Sequence, residues 1–356
     1  MSKAEPLRIL AVGDPFMPAS AFMRALECLG DAVAITELQI EQAVGAAPRT
    51  ASEERIREFA GDPADVAAAV AGHEVLVVHG APVTAEILDA APLRLVCCAR
   101  GGPVNVDVAA ATERGVPVTN SPGKNAQAVA ELTLAFALML IRGVPASGRY
   151  LLDGGSHADS PFEGGRFIGG EAPSMTIGLV GLGHVGRNVA VCARALGFTV
   201  LAHDPVPPSI VPAGVSMVGF DDLLEQSDIV SVHARASAAN RHLFGSSAFA
   251  RMRRGSFFIN TARESLVDEA ALESALTGGM LAGAALDVAE RRPAGGRHPL
   301  LDLPNVIITP HIGGATRETL RRGAEMVVAS VARLLAGEEP DYLLNPEYRA
   351  RRAVLS

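Results

Sequence analysis

The chain has 356 residues, of which 49% are apolar and 20% charged, and its formal net charge is −8 at pH 7. This length is sufficient for two domains, and the acidic balance argues against a general nucleic-acid-binding protein but not against a local basic pocket. The sequence contains no run of about 20 uncharged apolar residues that could cross a membrane. Four cysteines without metal-site or redox spacing predict a reduced, cytoplasmic protein without a metal centre.

Short apolar runs alternate with helical patterns in the first third of the chain. Strands are predicted at residues 7–12, 33–35, 75–78, 93–99 and 116–119. Helices are predicted at residues 19–29, from Asp62-Pro63 onward, from Thr84 to Ala90 and at 108–114. This alternation predicts a parallel sheet that is covered by helices on both faces.

The pattern changes at Pro122-Gly123, where an apolar helix, 125–142, precedes a Gly- and Pro-rich connection, 143–173. Further strands are predicted at 176–180, 198–203, 215–218, 229–232, 257–260, 284–288 and 306–309. A last helix, 317–336, is apolar enough to pack back on the first half. We therefore predict a discontinuous substrate-binding domain, 1–123 with 313–356, and a nucleotide-binding domain, 124–312.

The second series of strands opens with a glycine-rich fingerprint. The predicted strand 176–180 runs into Gly181-Leu-Gly-His-Val-Gly186, a G-x-G-x-x-G turn that leads into a helix. In this order the three glycines permit a tight turn, the approach of a pyrophosphate, and close packing of helix on strand. The helix N-terminus then holds the phosphates.

Asp204 ends the next predicted strand and completes the fingerprint. A carboxylate in this place accepts hydrogen bonds from the adenosine ribose hydroxyls and repels a 2′-phosphate. The sequence therefore predicts NAD, rather than NADP, as the cofactor.

Several blocks in order resemble the D-isomer-specific 2-hydroxyacid dehydrogenases, which include phosphoglycerate, glycerate and D-lactate dehydrogenases. The blocks are residues 110–126, the fingerprint with Asp204, Asn260-Thr-Ala-Arg263 with Val267-Asp-Glu269, and residues 282–288 and 305–314. The resemblance covers about residues 75–330. It implies an α/β protein with two Rossmann-like, doubly wound parallel-sheet domains, a cleft between them, and a homodimer. It also implies NAD-dependent hydride transfer between nicotinamide and a D-2-hydroxy acid or 2-keto acid.

The resemblance further implies a set of site residues. Arg263 should bind the substrate carboxylate and polarise the 2-keto oxygen, and His311 should exchange a proton with the 2-hydroxyl. The loop of Arg100, Gly101 and Gly102 should receive the substrate carboxylate. Contacts with the cofactor are expected from Gly181, Gly183, His184, Val185, Gly186, Asp204, Ala234, Thr261, Ala262, Arg263, Asp287, His311 and Gly314.

Three departures from the family pattern bear on function. Arg292 stands where the family has a Glu that pairs with the catalytic His, and the nearest acid is Glu290. Either Glu290 takes this catalytic place or, as we favour, His311 lacks an acidic partner and its pKa is lowered by the nearby Arg. Arg100 replaces a Gly of the substrate loop, so it either adds a second cation or points to solvent. His79-Gly80 replaces the Arg-Ser pair of phosphoglycerate enzymes.

Plainer interpretations stay open at this stage. The glycine turn could bind nothing, Arg263 could be a surface ion-pair residue, His311 could belong to a simple turn, and Asp287 could cap one. The alternative function is a dinucleotide-sensing binding protein or co-regulator with a degenerate catalytic site. An NADP-linked glyoxylate or hydroxypyruvate reductase is disfavoured by Asp204. The particular acid, the direction and the pathway stay open.

Overall fold

The computed structural model describes residues 5–155, 162–206, 208–290 and 296–355. Its strands are β1 (Leu7–Gly13), β2 (Val33–Gln39), β3 (Val75–Val78), β4 (Leu95–Cys98), β5 (Val118–Thr119), β6 (Thr176–Val180), β7 (Thr199–His203), β8 (Val215–Met217), β9 (Ile229–Val232), β10 (Ser256–Asn260), β11 (Leu281–Leu286) and β12 (Val306–Ile308). Its α-helices are α1 (Ala19–Leu26), α2 (Pro63–Val70), α3 (Ala85–Asp89), α4 (Val108–Glu113), α5 (Ala126–Ile141), α6 (Val144–Leu152), α7 (His184–Ala195), α8 (Phe220–Gln226), α9 (Ser246–Arg251), α10 (Glu269–Thr277), α11 (Arg317–Leu335) and α12 (Tyr348–Leu355).

The chain divides into two compact units, Met1–Lys124 with Ala315–Ser356, and Asn125–Gly314. In the described part of the first unit, five parallel strands lie in the order β2-β1-β3-β4-β5. The chain leaves β1 for β2 on one side and β3 on the other, so the carboxyl ends of β1 and β3 mark a topological switch point. The strands β3 and β4 are buried along their whole length, as expected of a sheet covered on both faces.

The helix α11 belongs to the first unit, as its apolar residues predict. Thr316 caps it, because the Thr316 hydroxyl accepts a hydrogen bond from the N–H of Thr319 at 3.1 Å. Its buried face, Ala324, Val327 and Val331, joins the core cluster that includes β1 and α1. The chain therefore returns to its first sheet after completing the second.

In the second unit, the described strands form a seven-stranded parallel sheet in the order β12-β11-β10-β9-β6-β7-β8. The connection from β8 crosses back to β9, so the switch point lies between β6 and β9. This is the place where an open α/β sheet binds a dinucleotide. The two core clusters of this unit hold α5 and α7 in one, and α8, α9 and α10 in the other.

The connection between α5 and β6 contains one element that the sequence did not predict. The helix α6 has Pro145 in its first turn, where a missing N–H is tolerated, and Gly148 in its middle, which lowers its propensity. No single described helix is long and apolar enough to cross a membrane, although α5 and α6, bent by 63°, together meet the length and composition criterion.

Candidate functional site

The glycine fingerprint forms the tight turn that its spacing predicts. Gly181 has a φ of +99°, and a Cβ there would lie 2.6 Å from the backbone nitrogen of Ala234. A Cβ on Gly186 would lie 2.1 Å from the carbonyl oxygen of Gly181. Both glycines are therefore required by the protein itself, and Ala234 lies against the turn.

Gly183 differs from these two because a Cβ on it would meet nothing within 4 Å among the described residues. The helix α7 begins at the next residue, His184, and no side chain caps its first turn. Its first N–H groups and the positive end of its dipole thus face open space beside Gly183. This cradle fits a pyrophosphate group, with His184 and Val185 supplying backbone donors.

Asp204 lies beside the fingerprint, not merely at the end of β7. Its Oδ2 accepts a hydrogen bond from the N–H of Leu182 at 2.8 Å, and its Oδ1 accepts one from the N–H of Val206 at 3.0 Å. Each carboxylate oxygen can accept another bond. The acid is thus fixed next to the phosphate turn and keeps acceptor capacity for a ribose.

The carboxyl end of β10 carries Arg263 on a loop that Asn260 shapes. The Asn260 amide accepts a bond from the N–H of Ala262 at 2.9 Å and donates one to the carbonyl of Arg263 at 2.8 Å. The hydroxyls of Thr133 and Thr261 are 3.0 Å apart, which ties the same loop to α5. Among the described residues Arg263 forms no ion pair, and its guanidinium donates to the carbonyl of Ala262 at 2.7 Å.

Asp287 follows β11 and holds the loop that carries His311. Its carboxylate, which is 2% exposed, accepts bonds from the Thr309 hydroxyl (2.6 Å) and from the N–H groups of Ile312 (2.8 Å) and Gly313 (2.7 Å). Its carbonyl accepts a bond from the N–H of His311 at 3.0 Å. His311 has a φ of +56°, a strained conformation for a residue with a Cβ. The Asp287 carboxylate, which is predicted to contact the cofactor, therefore also fixes the loop of residues 309–313.

These residues share one edge of the sheet. The N–H of Asp287 donates to the carbonyl of Asn260 at 3.0 Å, so the ends of β10 and β11 are adjacent. Thr309, which leads to His311, donates its N–H to Leu286 at 2.9 Å, which brings the end of β12 alongside. The predicted cofactor residues of this unit thus lie at the carboxyl ends of parallel strands. Gly314 ends the same loop, and a Cβ on it would lie 3.1 Å from the Asn125 amide.

Glu290, the acid nearest in sequence to Arg292, is one candidate for the partner of His311. The carboxylate of Glu290 is exposed and forms no hydrogen bond or ion pair among the described residues, so its predicted catalytic role has no contact to support it. Arg292, the other residue of that prediction, lies outside the described residues. The N–H of Glu290 donates to Glu269 at 2.5 Å, and Glu269 also pairs with His298 at 2.9 Å. The Glu269–His298 pair is buried, and it connects α10 with the residue that precedes Pro299.

Arg100, in the substrate loop of the first unit, is paired with an acid rather than pointing to solvent. Its guanidinium donates to the Glu58 carboxylate at 2.6 Å and to the Glu58 carbonyl at 2.9 Å, and the side chain is 16% exposed. It is therefore neither solvent-facing nor an uncompensated cation. Gly101 accepts a bond from the Asn120 amide at 2.9 Å, and a Cβ on Gly102 would meet nothing within 4 Å of the described residues. Gly102 keeps an open approach to the backbone.

Two polar groups near these edges had no clear signal in the sequence. His233, beside the fingerprint, has its Nε2 2.9 Å from the Ser231 hydroxyl, and burial lowers the pKa of the imidazole to about 3, so the ring is neutral at pH 7. Lys124, in the first unit, is 6% exposed, and its Nζ has no hydrogen-bond partner among the described residues. Burial is a tertiary property, which is why neither residue could be recognised from its neighbours in sequence.

The switch-point location, the uncapped α7 and the fixed Asp204 together define a dinucleotide-binding α/β protein. A family model described as D-isomer specific 2-hydroxyacid dehydrogenase, NAD binding domain, matches residues 134–313. The chain belongs to this family, and its second unit contains the NAD-binding domain.

The chain is also similar to proteins of known name and to a solved structure. A glyoxylate reductase of Korarchaeum cryptofilum is 37% identical over 270 residues, which are 75% of this chain and 80% of the relative. A D-3-phosphoglycerate dehydrogenase of Mycobacterium tuberculosis is 40% identical over 275 residues, which are 76% of this chain and 51% of the relative. The chain thus spans about half the length of the phosphoglycerate dehydrogenases that it matches. The solved structure of the TT0316 protein from Thermus thermophilus is 33% identical, with a TM-score of 0.77 over 95% of this chain and 100% of that one.

Proposed function

We propose that the protein is an NAD-dependent oxidoreductase that transfers a hydride between nicotinamide and a D-2-hydroxy acid or its 2-keto acid. One observation carries the proposal. Arg263, which has no carboxylate partner among the described residues, and His311, which is held in a strained loop, follow strands on the same sheet edge as the phosphate turn. A fixed cation and an acid–base group are what the oxidation of a hydroxy acid requires.

The residues divide the chemistry between them. When bound, the nicotinamide ring supplies or accepts the hydride. The Arg263 guanidinium binds the substrate carboxylate and stabilises the charge that develops on the 2-oxygen. The His311 imidazole takes the proton from the 2-hydroxyl during oxidation and returns it during reduction. Amides of Gly101 and Gly102 are proposed to receive the same carboxylate.

The alternative of a dinucleotide-sensing co-regulator is not favoured, because the relatives named above are a reductase and a dehydrogenase. A screen of 2-keto acids with NADH, and of 2-hydroxy acids with NAD, tests the proposal in both directions. Turnover of at least one acid is expected. Tight NADH binding without turnover of any acid would instead support a dinucleotide-sensing co-regulator.

Cofactor preference is the first expected outcome. Wild-type protein should use NADH with a catalytic efficiency about 10–100 times that with NADPH, because the Asp204 carboxylate binds ribose hydroxyls and repels a 2′-phosphate. Asp204→Asn keeps an acceptor for Leu182 or Val206 but removes the charge, so it should narrow the ratio. Equal or better use of NADPH by the wild-type protein contradicts the assignment.

We also propose that the protein forms a homodimer through its second unit. This unit exposes four large apolar side chains on α6 and the residues after it: Leu151 (46%), Leu152 (84%), Phe162 (84%) and Ile168 (87%). Several exposed large apolar side chains within one short stretch of the chain favour an interface. The proposed setting is the cytoplasm, with a small acid and a second copy as partners and neither nucleic acid nor membrane.

Charge introduced into these exposed residues should separate the subunits. The double variant Leu152→Asp with Ile168→Asp should sediment as a monomer, because two buried carboxylates in an apolar interface are costly. Ile210→Asp, which changes another exposed apolar residue (64%) of the same unit, is the matched control and should leave the oligomeric state unchanged. If the wild-type protein sediments as a monomer, the proposed homodimer is contradicted.

A further inference from the structure

The first unit buries one ammonium group for which its own residues provide no partner. Lys124 is 6% exposed, and its Nζ forms no hydrogen bond within the described residues. Its stem packs on α11, where a Cβ on Gly323 would lie 3.2 Å from the Lys124 Cδ and 3.5 Å from the Nζ. An unpaired charge in such a place is costly, so its presence calls for a ligand.

Asp14, the acid whose charge acts on Lys124, forms no hydrogen bond with its ammonium group, because its acceptors are already used. Asp14, at the carboxyl end of β1, accepts bonds from the N–H groups of Phe16 (2.8 Å) and Met17 (2.9 Å) on Oδ1. Its Oδ2 accepts bonds from the N–H of Gly80 (2.6 Å) and the Nδ1 of His79 (2.9 Å). Four bonds fill the lone pairs of a carboxylate. Despite burial, these bonds hold the pKa of Asp14 below its usual value.

Other neighbours of Lys124 are neutral or repulsive. The Lys124 Nζ lies 6.0 Å from the centre of the Phe16 ring, at the outer limit of a cation–π contact, and that ring stacks on His79 at 5.0 Å. Burial raises the pKa of the Cys98 thiol to about 11, so it carries no charge at pH 7. The Arg100 charge is already neutralised by Glu58.

We propose that Lys124 binds a second anionic group on the tail of the substrate, so that the preferred substrates are 2-hydroxy acids whose tail carries a carboxylate or a phosphate. The inference rests on the proposed function and names the substrate class of that site. Asp14 and His79 follow β1 and β3 at the switch point of the first sheet, which is where such sheets bind ligands. Lys124 thus supplies the free cation that the sequence suggested Arg100 would add.

The choice of lysine fits this role. Lys124 is one of two lysines in a chain that has 31 lysine and arginine residues together. A lysine can lose its proton when it is buried without a ligand, whereas an arginine stays charged. Burial is the main cause that lowers the pKa of Lys124 to about 8, with Arg100 adding to the effect and the Asp14 carboxylate opposing it. The amine is therefore charged at pH 7 and ready for an anion.

Matched pairs of substrates test the contribution of the charge on the substrate tail. Oxaloacetate and 4-methyl-2-oxopentanoate have the same shape but differ in one carboxylate, and 3-phosphohydroxypyruvate differs from hydroxypyruvate by its phosphate. In one of these pairs, Lys124→Met should raise the KM of the doubly anionic acid about 10–100-fold and change that of its partner less than about threefold. The pair in which Lys124→Met raises only the KM of the doubly anionic acid shows whether the tail group is a carboxylate or a phosphate. Arg94→Met, which removes a surface cation of the same unit paired with Glu74, controls for net charge.

The acidity of the amine gives a second readout. As the pH rises from 7 to 9, Lys124 loses its charge, so the KM of the doubly anionic acid should rise relative to that of its neutral-tailed partner. The ratio cancels the titration of His311, which both acids share, and His79 stays neutral over this range because burial lowers its pKa. In Lys124→Met the ratio should not change with pH. The variant should also unfold at a higher temperature than the wild type, because an unpaired buried charge is gone.

A binding measurement separates failure of the inference from failure of the proposed function. With [ε-13C]lysine the protein gives two side-chain signals, and Lys124→Met assigns them. D-Malate or D-3-phosphoglycerate, added with NADH, should raise the pKa of Lys124, whereas D-2-hydroxy-4-methylpentanoate should not. Turnover of 2-keto acids without preference in either pair, or equal effects of Lys124→Met on both partners, would overturn the inference alone. Absence of all turnover would overturn the proposed function, and a Lys124 pKa that neither D-malate nor D-3-phosphoglycerate raises would then overturn the inference too.

Discussion

Arg263→Gln should lower kcat/KM for the reduction of a 2-keto acid by about 10³–10⁴-fold. The guanidinium is asked both to hold the substrate carboxylate and to stabilise the charge on the 2-oxygen, and each charged contact is worth about 2–4 kcal/mol. Steady-state kinetics with NADH and the best acid of the screen measure the effect. Both KM and kcat should suffer, because one contact forms in the ground state and the other strengthens in the transition state.

Controls for this variant follow from the contacts of Arg263. Only its bond to the Ala262 carbonyl holds it within the described residues, so glutamine should leave the unfolding temperature within a few degrees of the wild type. Arg263→Lys restores the charge but not the two-pronged geometry, and should recover only part of the activity. A loss below tenfold in Arg263→Gln would show that another cation binds the carboxylate.

His311→Asn should lower kcat by about 10²–10⁴-fold in both directions, because proton exchange with the 2-hydroxyl loses its acid–base group. Asparagine is the suitable replacement, since it tolerates the φ of +56° at this position better than most residues. Profiles of kcat/KM against pH measure the change, and the limb that belongs to the histidine should vanish. A variant that keeps this limb would assign the proton exchange elsewhere.

The variant Glu290→Gln tests whether Glu290 is the acid that orients His311. Its carboxylate is exposed and forms no contact among the described residues, so turnover should fall less than about threefold and the pH profile should keep its shape. If Glu290→Gln instead abolishes turnover, Glu290 is the acid that orients the histidine. In that case the loop must rearrange when substrate binds.

Much of the fold follows from local patterns. Each described strand was predicted within a few residues, because buried parallel strands are short apolar runs bounded by turn residues. The return of α11 to the first sheet followed from its apolar face. The helix α6 was missed since Pro145 and Gly148 make its composition resemble a loop. The helix begins after Gly143 (φ +60°) and ends shortly before Gly154 (φ +94°), two glycines in the left-handed region.

Some features of the site could likewise be predicted from the sequence, and others could not. Glycines at fixed spacing and an acid at a strand end carry their chemistry in sequence, and so they could be recognised. The Asp287 carboxylate could not be assigned to the 309–313 loop, because its three donors come from residues more than twenty positions away. The pairing of Arg100 with Glu58, 42 positions away, and the burial of Lys124 without a hydrogen-bond partner among the described residues were hidden from the sequence for a similar reason.

Asp204 has a consequence for how this lineage can change. Its carboxylate discriminates between cofactors and also satisfies the N–H groups of Leu182 and Val206. A single mutation to a small neutral residue would admit a 2′-phosphate but leave the buried turn at Leu182 without its acceptor. A descendant that uses the phosphorylated dinucleotide therefore needs either an asparagine, which keeps one acceptor, or a second substitution that compensates at the turn. A smaller residue at position 204 alone passes through a less stable intermediate, so an engineer who chooses one should vary the turn together with it.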